Sequence, residues 1–270
     1  LRPIPVRRLR PGRARRRQGA RARPVWRRAP APPRTGEGPA RARPASSAYA
    51  RRRRGDAPSR RRRRTPRRRP IRGWWEEYRD ILPPGALDLA ELEHHSSAMR
   101  IASVIHIPGL LQTADHARAL FLGVFPPLTP PEVEHRVSHR IKRQAVLYSE
   151  QSVQLSAVVH EAALRMGVGG PAVARAQYKH LIAMSARDNI TVRVIPFGAG
   201  TFPGSGQPIV YFSGPVAQLD TVQLDTDHGS EFLVSTAHLA KYRMFLDRLD
   251  SCALGPAGSC DLIARIEQDI

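Results

Sequence analysis

VQLSAVVHEAALRMGVGGPAVARAQYKHLIAMSARDNITVRVIPF, residues 153–197, is the stretch that decides the fold. Its ends, 153–159 and 190–197, are short runs rich in β-branched residues and read as strands. Between them Gly169-Gly170-Pro171 opens a helix, with the proline where its missing N–H costs nothing. Val173, Gln177, Leu181 and Met184 recur along one face of that helix. A strand, a helix and a strand in this order predict a right-handed parallel crossover.

Downstream, two extended runs at 208–212 and 216–224, joined through Ser213-Gly214-Pro215, predict a hairpin. Leu239, Tyr242, Leu246 and Leu249 mark a last long helix, followed by a short one near 259–267. Upstream, Thr129-Pro130-Pro131-Glu132 combines an N-cap, a proline at the first helical position and a capping-box glutamate. It predicts a helix over 130–148 with Val133, Val137 and Ile141 turned inward. Thr113 caps another helix that stops at Gly123, and Asp115 in its first turn suits the positive end of the helix dipole. Asp88 with Glu91 reads as an N-cap pair, with Leu89, Leu92, Ser96 and Met99 on one helical face. The fold class is therefore α+β, a small mixed β-sheet packed with several helices, over residues 74–270.

Charge divides the chain at the same place. The formal net charge is +21, but residues 1–73 hold 28 arginines, no lysine and two acids, Glu37 and Asp56. The remainder is mildly acidic. Six aliphatics among twelve prolines in that stretch cannot offset the entropy of ordering a backbone, so it is expected to be a disordered Arg/Pro-rich tail. Two readings of the tail compete. Clusters such as Arg51, Arg52, Arg53, Arg54 and Arg61, Arg62, Arg63, Arg64 would neutralise phosphates and bind nucleic acid without sequence preference. Alternatively, Arg, Pro, Ala and Gly share GC-rich codons, and a gene read out of frame or from a misplaced start gives the same composition. No run of apolar residues is long enough for a transmembrane helix, and no apolar segment follows the basic N-terminus, so a cytoplasmic protein is expected. Cys252 and Cys260 fit reduced thiols rather than a disulfide framework.

Candidate chemistry is sparse. His135 and His139 have zincin spacing, but Arg136 stands where the glutamate belongs, and a solvated helical face is the better reading. His94 and His95 are adjacent, diverge on a helix and cannot share an ion. Gly198-Ala199-Gly200 follows a strand, but no helix starts behind it to cradle phosphate. A flexible loop is expected there, with a lid over a pocket as the alternative. Asp220, Asp225, Asp227 and Glu231 miss the calcium-loop register and read as a strand end and polar turn. Ser205 and both cysteines lack nucleophile frames. The expectation is a protein that is not an enzyme and uses no cofactor and no metal.

Particular strings carry more than periodicity does. WWEEYRDILPPG (74–85), LAELE (89–93), PGLLQT (108–113), HARAL (116–120), RIKRQ (140–144), EAALRMGVGG (161–170), VRVIPF (192–197) and YRMFLDRLD (242–250) occur in this order. Together they resemble the C-terminal domain of unknown function of the WhiJ-like, Scr-type antitoxin-like regulators of actinobacteria, which belong to the XRE family of helix-turn-helix proteins. The resemblance implies a regulatory half that binds a partner or ligand, commonly a small cognate protein encoded nearby. It also implies DNA binding through a helix-turn-helix, which residues 1–73 are too poor in apolar positions to form. A homodimer is compatible with this reading. Within the matched strings, Leu110 and Leu111 are expected in the core, and Gln112, Thr113, Arg140, Arg143 and Gln144 at a partner or ligand site. Glu161 is matched without an assigned role, and caps and buried hydrogen bonds are the competing account of all of them.

Overall fold

A computed structural model describes residues 73–270, apart from Glu150, Gln151, Thr201, Ser205 and Asp227. The arginine-rich stretch lies, Gly73 aside, outside the described residues, and with it the expectation of disorder and both arginine clusters.

Six strands form one mixed sheet: β1 (Ala98–Ser103), β2 (Gln154–His160), β3 (Ile190–Ile195), β4 (Ile209–Ser213), β5 (Thr221–Thr226) and β6 (Gly229–Leu233). Their order is β3-β2-β1-β4-β5-β6. The expected crossover is present: β2 and β3 pair in parallel, Leu155 opposite Ile190, joined by α4 (Glu161–Arg165) and α5 (Pro171–Ser185). β1 also runs parallel to β2, whereas β4, β5 and β6 form an antiparallel meander added to the other edge of β1. The remaining helices are α1 (Pro84–His95), α2 (Ala114–Leu122), α3 (Pro130–Arg143), α6 (Thr236–Cys252) and α7 (Pro256–Gln268). No helix among the described residues is long and apolar enough to cross a membrane.

Alternation along the strands sends side chains to two cores. On one face Met99, Ile101, Leu155, Val192, Val194 and Phe212 pack against Tyr178, Leu181 and Met184 of α5 and Leu262, Ile263 and Ile266 of α7. On the other, Ala102, Val158, Tyr211, Val222 and Leu224 meet Leu239, Leu246 and Leu249 of α6. A smaller cluster folds the 3₁₀ turn Trp74–Tyr78 onto α1 through Trp75, Tyr78, Leu87 and Ala90.

Several expectations need correction. The first helix starts at Pro84, so Asp88 is interior to it rather than a cap, and Met99 belongs to β1. Ser96 closes that helix, its hydroxyl donating to the Leu92 carbonyl at 2.6 Å. α3 ends at Arg143 and tightens into a 3₁₀ turn, Gln144–Leu147; Val133 and Val137 are buried, but Ile141 is exposed. The extended run at 216–224 is half right: Ala217–Leu219 form a 3₁₀ turn, and β5 begins at Thr221. The last helix is longer than predicted, spanning Pro256–Gln268. His139 is not solvated; it is 4% exposed and lies between the rings of Trp74 and Tyr78, 5.4 and 5.0 Å away between centroids. His94 and His95 do not diverge but meet edge to face at 4.9 Å, beside Trp75.

Candidate functional site

PGLLQT is the segment around which the site is built. After β1 the chain passes Ile107 and Pro108 and enters a short 3₁₀ turn, Gly109–Leu111, which drives Leu110 and Leu111 fully into the core. Such a turn leaves backbone groups without partners, and glutamine side chains from three elements satisfy them. Gln112, 2% exposed, donates from Nε2 to the Ile107 carbonyl at 2.6 Å. Gln144 donates to the Gln112 carbonyl at 2.6 Å. Gln177 of α5, wholly buried, donates to the Leu111 carbonyl and accepts from the Thr113 N–H, both at 2.7 Å. Thr113 in turn caps α2, its Oγ1 accepting from the His116 N–H.

This braced segment forms one wall of a cavity of about 760 Å³. α1 contributes Leu89 and Glu93, α2 Leu120 and Phe121, α3 Arg140 and Arg143, and the sheet Ile101, Val210, Gln223 and Asp225. The lining is largely apolar, and its charges are placed unequally. Arg143 and Glu93 are 8% and 2% exposed and form a two-pronged pair, Nε to Oε2 at 2.7 Å and Nη2 to Oε1 at 2.5 Å. Arg140, one helical turn earlier, donates from Nη1 to the neutral Oε1 of Gln112 at 2.7 Å and lies over the Phe121 ring, 4.9 Å from its centroid. None of the ion pairs among the described residues includes Arg140. Burial, reinforced by the charge of Arg143, pushes the Arg140 guanidinium down to about 9, against the opposing pull of Glu93 and Asp225. It remains charged at neutral pH. His106 and Asp225 are exposed at the mouth.

Of the five residues expected at a site, Gln112, Arg140 and Arg143 line the cavity. Thr113 and Gln144 stand behind it and hold the wall. Glu161 lies elsewhere: it accepts from Arg165 Nε at 2.6 Å and from the Phe197 N–H at 2.7 Å, tying the end of β3 to α4. No described residue of the glycine loop after β3, 198–207, lines this cavity, so among the described residues the loop forms no lid over it. Gly204 instead sits against Phe245 of α6, on the opposite face of the sheet. Sequence reading missed Glu93, Gln177 and Asp225. Glu93 lay inside a quoted string, but nothing in sequence pairs it with an arginine fifty residues away. Asp225 lies, as expected, at a strand end, next to last in β5, but nothing in the sequence places that end beside the cavity mouth.

Fold and cavity together define a layered α+β domain with one part-polar chamber on the α5–α7 side of its sheet. The chain belongs to the family described as a domain of unknown function (DUF5753), which matches residues 86–265. No curated protein matches it.

Proposed function

We propose that residues 74–270 are the non-enzymatic regulatory half of a helix-turn-helix transcriptional regulator of the WhiJ-like, XRE-family group, antitoxin-like and cytoplasmic, which binds a partner or ligand. The cavity is the observation that carries this reading: a chamber of ligand size, walled by a segment that side-chain amides from α5 and from the 3₁₀ turn after α3 brace. Its polar groups are arranged to hold rather than to react. The Ser103 hydroxyl is committed to the His106 carbonyl at 2.5 Å, Glu93 to Arg143, and no cysteine lines the space. The order of the motifs, which resembles that of such regulators, supports the regulatory role. DNA reading is assigned to a helix-turn-helix that residues 1–73 do not spell, and the partner to a small protein encoded beside the gene. Affinity capture with the tagged chain should enrich that protein over a scrambled-sequence control. Equal recovery from both overturns the partner assignment.

The arginine-rich stretch favours a second reading, nucleic-acid binding without sequence preference. It requires affinity that collapses between low and moderate salt and disappears when residues 1–73 are removed. Unchanged affinity after that deletion eliminates it.

A further inference from the structure

Arg140 and Arg143 share one face of α3 and one cavity, yet only one of them has its charge answered. Glu93 meets Arg143 with both oxygens, while Arg140 has a single hydrogen bond, to the uncharged amide of Gln112. Its guanidinium carbon also lies over the Phe121 ring. Space is reserved for that group: a Cβ at Gly109 would come within 3.0 Å of Arg140 Nη1 and 3.2 Å of Cδ. Arg140 is half-buried and no acid among the described residues pairs with it, so an arriving anion offsets the cost of its partial desolvation. The free N–H groups of a guanidinium fork match the two oxygens of a carboxylate. Ile101, Ile107, Leu110, Leu120, Phe121 and Val210 supply the apolar remainder of the lining. Asp225 brings negative charge to the mouth of the same cavity, the charge of Glu93 being answered by Arg143, and it opposes any ligand carrying a second anionic group.

We infer that the cavity binds a small organic monoanion, a carboxylate on an apolar body, with Arg140 as its anchor. The inference deepens the regulatory reading above and rests on it. Calorimetric titration of the full chain with octanoate and with 3-phenylpropanoate tests it, each beside its uncharged amide, with octanedioate as the dianion. The acids should bind about tenfold or more tighter than their amides, the difference expected of a charge-assisted pair. Octanedioate should bind more weakly than octanoate. Arg140→Gln should remove the preference for acid over amide, while Arg140→Lys keeps part of it.

Equal affinities for acid and amide on the native chain overturn the inference, as does no binding of either acid. Retention of the preference in a folded Arg140→Gln protein overturns it too. Should that variant fail to fold, the acid–amide comparison on the native chain decides alone. Capture of the neighbouring small protein without any carboxylate binding removes the site and leaves the regulatory reading. Carboxylate binding that leaves that capture unchanged supports the site and removes the regulatory link.

Discussion

Glu93 and Arg143 exchange two hydrogen bonds where water scarcely reaches. Glu93→Gln leaves the guanidinium charged, buried and unanswered, and should cost about 3–5 kcal/mol of stability, measured by urea denaturation. Glu93→Leu with Arg143→Met removes both charges and should recover most of that loss. A second residue-level prediction concerns two histidines. Burial pushes His116 down to about 4 and His139 down to about 3, with neighbouring cations adding to the effect, and Nε2 of each finds no partner. Both are neutral in the folded protein, while in the unfolded chain they take up protons below about pH 6.5. Their contribution to stability is therefore full above that pH and is lost progressively as pH falls toward 4 and 3. The melting temperature should drop between pH 7 and pH 4, and His139→Phe, which keeps the ring contacts with Trp74 and Tyr78, should shrink the drop. At this scale the sequence exposed Gln112, Arg140 and Arg143 through their motifs, but not their partners. Which acid faces which base depends on the packing of α1 against α3.

Among elements, the entry to α5 is tightly constrained. Gly169 has φ +77°, and a Cβ there would stand 2.8 Å from Val173 and 3.1 Å from Ala119 of α2. Gly169→Ala combines a left-handed backbone with overpacking and should cost about 2–4 kcal/mol, read from the shift in urea midpoint. The helix start itself was legible, because Gly-Gly-Pro is local chemistry. β1 was not. Its Met99 continues the helical spacing of Leu89 and Leu92, and Arg100 breaks the apolar run expected of a strand with neighbours on both sides. Arg100 is tolerated at the sheet's centre because Asp247 and Asp250 of α6 each meet it at 2.7 Å, a contact no local pattern announces. β6 was missed for the opposite reason: an edge strand reading GSEFL buries too little to show a period. The 216–224 run began late because the Asp220 carboxylate accepts from the Gly214 N–H and Tyr211 hydroxyl, folding its first residues into a turn.

For the whole molecule, the sheet separates two cores, and only one borders the cavity. Leu246→Ala on α6 should lower global stability by about 2–5 kcal/mol in urea titration. It should leave carboxylate affinity unchanged, since the chamber lies across the sheet. The strand order also has a consequence for the chain as it is being made. β1 gains β2 and β3 on one side first; its other neighbour, β4, follows soon after β3, and the two aspartates of α6 come last. Until β4 pairs, an open parallel edge faces the ribosome's surroundings, with the uncompensated charge of Arg100 at its middle. A charge at an open edge opposes its pairing with a neighbouring chain, and in the folded protein Asp247 and Asp250 of α6 answer the charge of Arg100.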